Sequence, residues 1–200
     1  MSIVIRDVAS HELDSVLALN NAAGENILPL DATSLDYFYR HAHYFRVAEV
    51  DGLITGFLIG MMPGANYGSS NYRWFSQRYE EFLYIDRIVI ASPRRGLGVG
   101  RAFYADVTSF AEVRVPWLTC EVFLEPRNDV AVLFHGTYGF HEVGQEVMSS
   151  VHRRVSLLGK ELCSHPYVRE NYLRAGGLPD LPWLAERATA SSSPRRATGT

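Results

Sequence analysis

The chain has 200 residues, 47% hydrophobic and 12% aromatic, with a formal net charge of −3. That length and composition describe one globular domain with a sizeable core, not a disordered chain, and the slight negative charge supplies no basic field for nucleic acid or an anionic membrane. No apolar run approaches the ~20 residues of a membrane span, and the short, charged opening MSIVIRDVAS does not match a secretory leader, so the expectation is a cytoplasmic protein.

IVIRDV alternates as a strand and leads into SHELDSVLALNNAA, where Leu13, Val16, Leu17 and Leu19 suit a helix face and Ser10 is placed to cap it. ATSLDYFYRHAH reads as a second short helix. YFRVAEVDGLITGFLIGMM holds two apolar runs around Asp51-Gly52, a pair that tolerates the positive φ angles of a type I′ turn, and so reads as a β-hairpin. Residues 63 to 81, PGANYGSSNYRWFSQRYEE, have no clear period and read as a long connection of the kind that often carries function. A strand runs from about Phe82 to Ile90, followed by a glycine-rich loop and a helix to roughly Val113. WLTCEVFL is a fifth strand; Cys120 within it reads as a small core residue, since Cys120 and Cys163 show no framework or CxxC spacing. NDVAVLFHGTYGF opens with a capping Asn128 and closes with Gly139 past the helix end. HEVGQEV and SSVHRRVSLLGKEL supply two more strands. The order β-α-α-β-β-β-α-β-α-β-β defines an α/β chain with a mixed sheet. A domain spanning 1–164 is expected, then a C-terminal docking segment, 165–188, and a disordered tail, 189–200.

Gly96, Gly98 and Gly100 stand where the fourth strand meets a helix, beside Arg94, Arg95 and Arg101. The first amides of a helix lack intrahelical partners, and glycines let backbone approach an anion closely. The loop therefore looks built for phosphate. A P-loop would need GxxxxGK[ST], which is absent, and in a GxGxxG fingerprint the third glycine position falls on Arg101. What fits is R-x-x-G-x-G, written Arg95, Gly98 and Gly100. In the helix after the fifth strand, Asn128, Ala131, Gly139 and Phe140 match N-x-x-A-x-x-x-Y-x-x-x-G-F.

On these two motifs, and over about residues 3 to 162, the chain resembles the GNAT superfamily of acyl-CoA-dependent N-acyltransferases. The resemblance implies a mixed, mostly antiparallel central sheet of about 6–7 strands flanked by about 4 helices. It implies acetyl-CoA as cosubstrate, with the pyrophosphate held by Arg95, Gly96, Leu97, Gly98, Val99, Gly100 and Arg101, the pantetheine paired with backbone of Ile88, Val89 and Ile90 where the sheet splays, and Asn128 touching the coenzyme. One of those strand amides would face the oxyanion formed when an amine attacks the thioester.

An alkylammonium near pKa ~10.4 must lose a proton before it attacks. Asp86, in YIDRIVI, is the first candidate base, sharing a face with Tyr84 and Ile88 by simple alternation; the competing reading is a sheet-surface aspartate paired with an arginine such as Arg87. Glu81 and Glu121 are weaker candidates. The family's tyrosine acid is replaced by His135, which would protonate the leaving thiolate, hydrogen-bond the sulfur or only pack; Tyr138, one turn on, is the fallback. The remaining histidines show no metal-ligand spacing, with His41 and His43 on a strand-like pattern lacking a third partner, and no metal is expected.

In the resembled family the first two helices and the loop after the third strand wall the acceptor pocket, so Tyr67, Tyr72, Trp74, Phe75 and Tyr79 would line it; the other reading is that they pin the loop or form a homodimer contact. The expected activity is acetyl transfer to a primary amine of a small molecule or peptide. The alternative is a non-catalytic acyl-CoA-binding sensor of the same fold. The amine is not identified, and no nucleic-acid or membrane partner is expected.

Overall fold

The computed structural model describes residues 2–125, 127–148 and 151–178. Seven strands form one sheet in the order β1-β2-β3-β4-β5-β7-β6: β1 (Ile3–Asp7), β2 (Tyr44–Val50), β3 (Leu53–Met61), β4 (Leu83–Ile90), β5 (Trp117–Phe123), β6 (His141–Met148) and β7 (Arg153–Glu161). Every neighbouring pair is antiparallel except β4 and β5. The β2–β3 turn takes positive φ at both Asp51 (53°) and Gly52 (80°), the geometry expected for Asp-Gly.

Helices cover both faces. One core contains α4 (Val99–Glu112) and packs against α5 (Asp129–Thr137) through Ala131 and Phe134. The other collects α1 (Leu13–Asn21), α2 (Ala32–His41) and α3 (Ser70–Ser76) through Val16, Leu35, Phe38, Tyr72 and Phe75. Beyond the four expected helices, the described residues include α3 and the one-turn α6 (His165–Val168). Within the segment read as a docking element, His165 is buried and its Nδ1 lies 2.9 Å from the Glu112 carbonyl at the end of α4. The remainder of that segment, from 179, and the tail lie outside the described residues.

Local expectations divide. Asn128 caps α5 by accepting from Ala131 N at 3.1 Å, and Gly139 follows the helix at φ 84°. Ser10 does not cap α1. It lies in a 3₁₀ turn, where the Glu12 carboxylate accepts from Ala9 N at 2.8 Å and is clamped by Arg6 at 2.6 Å. His41 ends α2 instead of sitting on a strand, stacked on Tyr37 at 4.3 Å, and His43 precedes β2, accepting from Met62 N at 3.2 Å.

Candidate active site

The site is set by a failure of pairing. β4 and β5 share only two register pairs, Leu83↔Leu118 and Tyr84↔Thr119. Beyond them β4 stays bound to β3 as far as Ile90, and β5 to β7 as far as Phe123. The two strands therefore diverge as a wedge, and the β4 backbone through Ile88, Val89 and Ile90 borders it without a β5 ladder. Backbone groups so exposed need other partners.

At the open end of the wedge stands the glycine loop. Gly96 and Gly98 take φ of 78° and 88°, conformations closed to most side chains, and an added Cβ at either would meet nothing nearer than Ile3, 4.0 Å from Gly98. Gly100 serves differently: a Cβ there would lie 2.8 Å from the Phe134 ring, so it permits α4 and α5 to pack closely. The first intrahelical bond of this turn is Ala102 N to Gly98 O, which leaves the amides of Val99, Gly100 and Arg101 ahead of the ladder. Arg95 braces the loop by donating to the Ile90 carbonyl at 3.2 Å, while Leu97 and Arg101 are exposed. Open space, unladdered amides and positive charge fit a diphosphate.

At the vertex sit the carboxylates. β4 is bulged: Ile59 pairs with Arg87 and Gly60 with Ile85, so Asp86 has no partner in register. This corrects the alternation expected from sequence. Ile88 packs into the α4/α5 core, whereas Tyr84 belongs to the opposite one, so Asp86 does not share a face with both. The Asp86 side chain is only 5% exposed, accepting from Arg87 Nε at 2.7 Å and from the Tyr67 hydroxyl. Arg87 also donates to Asn20 Oδ1 at 2.8 Å and to the Leu28 carbonyl at 3.0 Å. Asp86 is thus paired with Arg87, buried and not at the sheet surface, and it ties the 63–69 segment to the α1–α2 connection.

Glu121, two residues past the last β4–β5 pair, has a different environment. Burial first, and then the Asp86 charge, push its carboxyl up from 4.5 to about 8, against the milder pull of side-chain hydrogen bonding from Tyr84 and Asn71 and of the Arg87 charge. Its Oε2 is shielded from solvent and closes no hydrogen bond among the described residues. Glu81, by contrast, is exposed, 3.9 Å from Arg169 at the foot of β4.

His135 and Tyr138 lie in the core between α4 and α5, against Tyr104 and Phe134. His135 is buried, with Nδ1 2.5 Å from the Tyr104 hydroxyl, and burial holds its imidazole down to about 4. Burial raises the Tyr104 phenol well above its ordinary value. The imidazole is therefore neutral and the phenol unionised, and the two share one hydrogen bond at Nδ1. Tyr138 packs at a tilt against Tyr104, 4.6 Å between centroids. Of the loop aromatics, Tyr67 and Tyr72 pack edge-on at 5.6 Å, Phe75 lies 5.9 Å from Tyr84, and Tyr79 lies 5.1 Å from Trp117; together they roof the vertex. Among the described residues no group of three or more His, Cys, Asp or Glu could hold a metal ion, and no helix is long and apolar enough to cross a membrane.

The acetyltransferase (GNAT) family model matches residues 13–140, and the chain belongs to that family. A search of curated proteins found no match. Solved structures share the fold at low identity. Ard1 from Thermoplasma volcanium superposes with a TM-score of 0.64 at 19% identity, over 81% of this chain and 99% of that one. The NatC complex bound to Gag peptide and CoA gives 0.61 at 15%, over 81% and 99%. A GNAT-family acetyltransferase from Streptococcus pneumoniae gives 0.59 at 16%, over 80% and 99%.

Proposed function

We propose that this chain transfers the acetyl group of acetyl-CoA to a primary amine of a small molecule or peptide, by direct attack in a ternary complex. One observation carries the reading: a wedge between β4 and β5 that has a glycine loop with unladdered amides at its open end and a buried carboxyl raised to about 8 at its vertex. Arg95, Gly96, Leu97, Gly98, Val99, Gly100 and Arg101 would hold the pyrophosphate, with Asn128 close by on α5, and the Ile88–Ile90 edge would hold the pantetheine arm. Acetyl-CoA bound there supplies an activated acyl carbon.

The chain's own residues handle protons. Glu121, when ionised, takes one from the arriving ammonium. The nitrogen then forms its bond to the acyl carbon as the carbon–sulfur bond breaks, and the second proton that the nitrogen sheds in becoming an amide passes to the departing sulfur, so the coenzyme leaves as the thiol. Asp86 acts through its charge, keeping the proton affinity of Glu121 high enough to compete with an amine. Neutral His135 would offer the sulfur a hydrogen bond instead of a full proton, which suffices for a thiol with pKa ~8.5; Tyr138 is the remaining donor on that side. A sensor that binds acyl-CoA without turnover would use the same loop but gives Glu121 no task. The test is release of coenzyme thiol with a panel of primary amines and peptide N-termini. Acceptor-dependent release supports transfer, whereas acetyl-CoA binding with no release above background for any acceptor would favour the sensor.

A further inference from the structure

Three polar side chains at the vertex lack partners among the described residues. Asn71 on α3 is fully buried with both amide atoms unbonded, Thr119 on β5 is fully buried with its hydroxyl unbonded, and Glu121 Oε2 is shielded and unbonded. Buried polar groups are nearly always satisfied, since an unpaired one forfeits its hydration for nothing in return. These three converge. Thr119 and Glu121 are two apart on β5 and so share a face, and the Asn71 amide faces Glu121 closely enough to lower its proton affinity by hydrogen bonding, although at a geometry too loose to close a bond to Oε2. The neighbouring groups are engaged: Asp86 by Arg87 and Tyr67, and Tyr84 with Ser69 at 3.5 Å. Glu121 Oε2, Asn71 Oδ1 and Thr119 Oγ1 remain as three acceptors, and a primary ammonium carries three N–H donors.

We propose that Asn71, Thr119 and Glu121 form the subsite that receives the acceptor's amino group, and that this acceptor is a compact small-molecule primary amine, not a peptide; the proposal rests on the N-acetyltransferase reading above. Handing one proton to Glu121 leaves two N–H groups for Asn71 and Thr119 to hold. The size limit follows from what closes this face. Trp74 of α3 lies on Gly144 of β6 so tightly that a Cβ there would come within 2.6 Å of the indole. On the other side, Arg153 of β7 donates to the Glu25 carbonyl at 2.6 Å, binding the sheet to the α1–α2 connection. A peptide backbone crossing this face would have to part those contacts, whereas an amine on a short chain would not.

The test uses the full chain with Asn71→Leu and Thr119→Val, which replace unbonded polar groups by apolar ones of similar size. The unliganded variants should melt at or above the wild-type temperature, because they remove an unsatisfied group. KM for short alkylamines and arylalkylamines in the thiol-release assay should nonetheless rise about tenfold or more, with the thermal shift by acetyl-CoA unchanged. An unaltered KM in both folded variants would identify the place as one for a structural water and overturn the subsite. A higher kcat/KM on short peptide N-termini than on every small amine would overturn the compact acceptor. Absence of an acetyl-CoA shift in the wild type, seen before any amine is added, would instead remove the N-acetyltransferase reading beneath it.

Discussion

Replacing Glu121 with glutamine keeps the shape of the side chain and removes its ability to ionise. The folded pKa of about 8 exceeds the ordinary 4.5, so the folded state binds this proton more tightly than the unfolded chain does. Stability from this group is then full below pH 4.5 and falls as pH rises toward 8. At ~1.36 kcal/mol per pH unit the loss reaches at most ~3 kcal/mol at pH 7 and ~5 kcal/mol above pH 8. Water at the half-buried part of the side chain trims both figures. Glu121→Gln should therefore be the more stable protein in urea denaturation, by about those amounts, with a flatter profile between roughly pH 4.5 and 8. Activity should move the other way. About one-tenth of Glu121 is ionised at pH 7, so wild-type kcat/KM should climb about tenfold from pH 7 to 9 and level off. The variant should lose that limb and roughly 10²-fold in rate. A variant no more stable than wild type at pH 8, with rates and pH profile preserved, would refute both the electrostatics and the role.

Gly98→Val should cost about 1–3 kcal/mol, because φ of 88° is closed to a β-branched residue, and it should abolish the thermal shift by acetyl-CoA. Retained binding would overturn the assignment of the loop. Arg87→Met leaves Asp86 buried beside Tyr67 without its counter-ion and severs the bonds to Asn20 and Leu28; a loss of ~3–5 kcal/mol is expected by urea denaturation. Tyr104→Phe leaves His135 Nδ1 buried without its hydrogen-bond partner, and the melting temperature should fall by an amount matching about 1–3 kcal/mol.

The strands, the Asp51-Gly52 turn and the R-x-x-G-x-G loop were legible because each is a local code: alternation, a positive-φ pair, and glycine spacing at a strand–helix junction. What escaped depends on tertiary environment. α3 spans seven residues, too few for a 3.6-residue period to register among neighbouring aromatics, although Ser69, which accepts from Tyr72 N at 3.2 Å, was an available cap signal. The bulge at Asp86 leaves no mark on an apolar run, since one extra residue alters register and not composition. Glu121 was underweighted for a related reason. WLTCEVFL reads as a strand covered on both faces, so a glutamate within it is buried by implication, but its proton affinity depends on Asp86, which is 35 positions away in sequence and adjacent only across the wedge. His135 was legible as a departure from the family's tyrosine, whereas its Tyr104 partner could be found only once α4 and α5 were packed together.

The most direct test of the central claim, acetyl-CoA bound at the β4/β5 wedge, is the melting temperature of the full chain with and without acetyl-CoA, with ATP and NAD as controls. Binding to the folded state alone adds ~2.7 kcal/mol at a hundredfold excess over the dissociation constant. A rise specific to acetyl-CoA is predicted. No rise at millimolar ligand, or an equal rise with ATP or NAD, would contradict the claim.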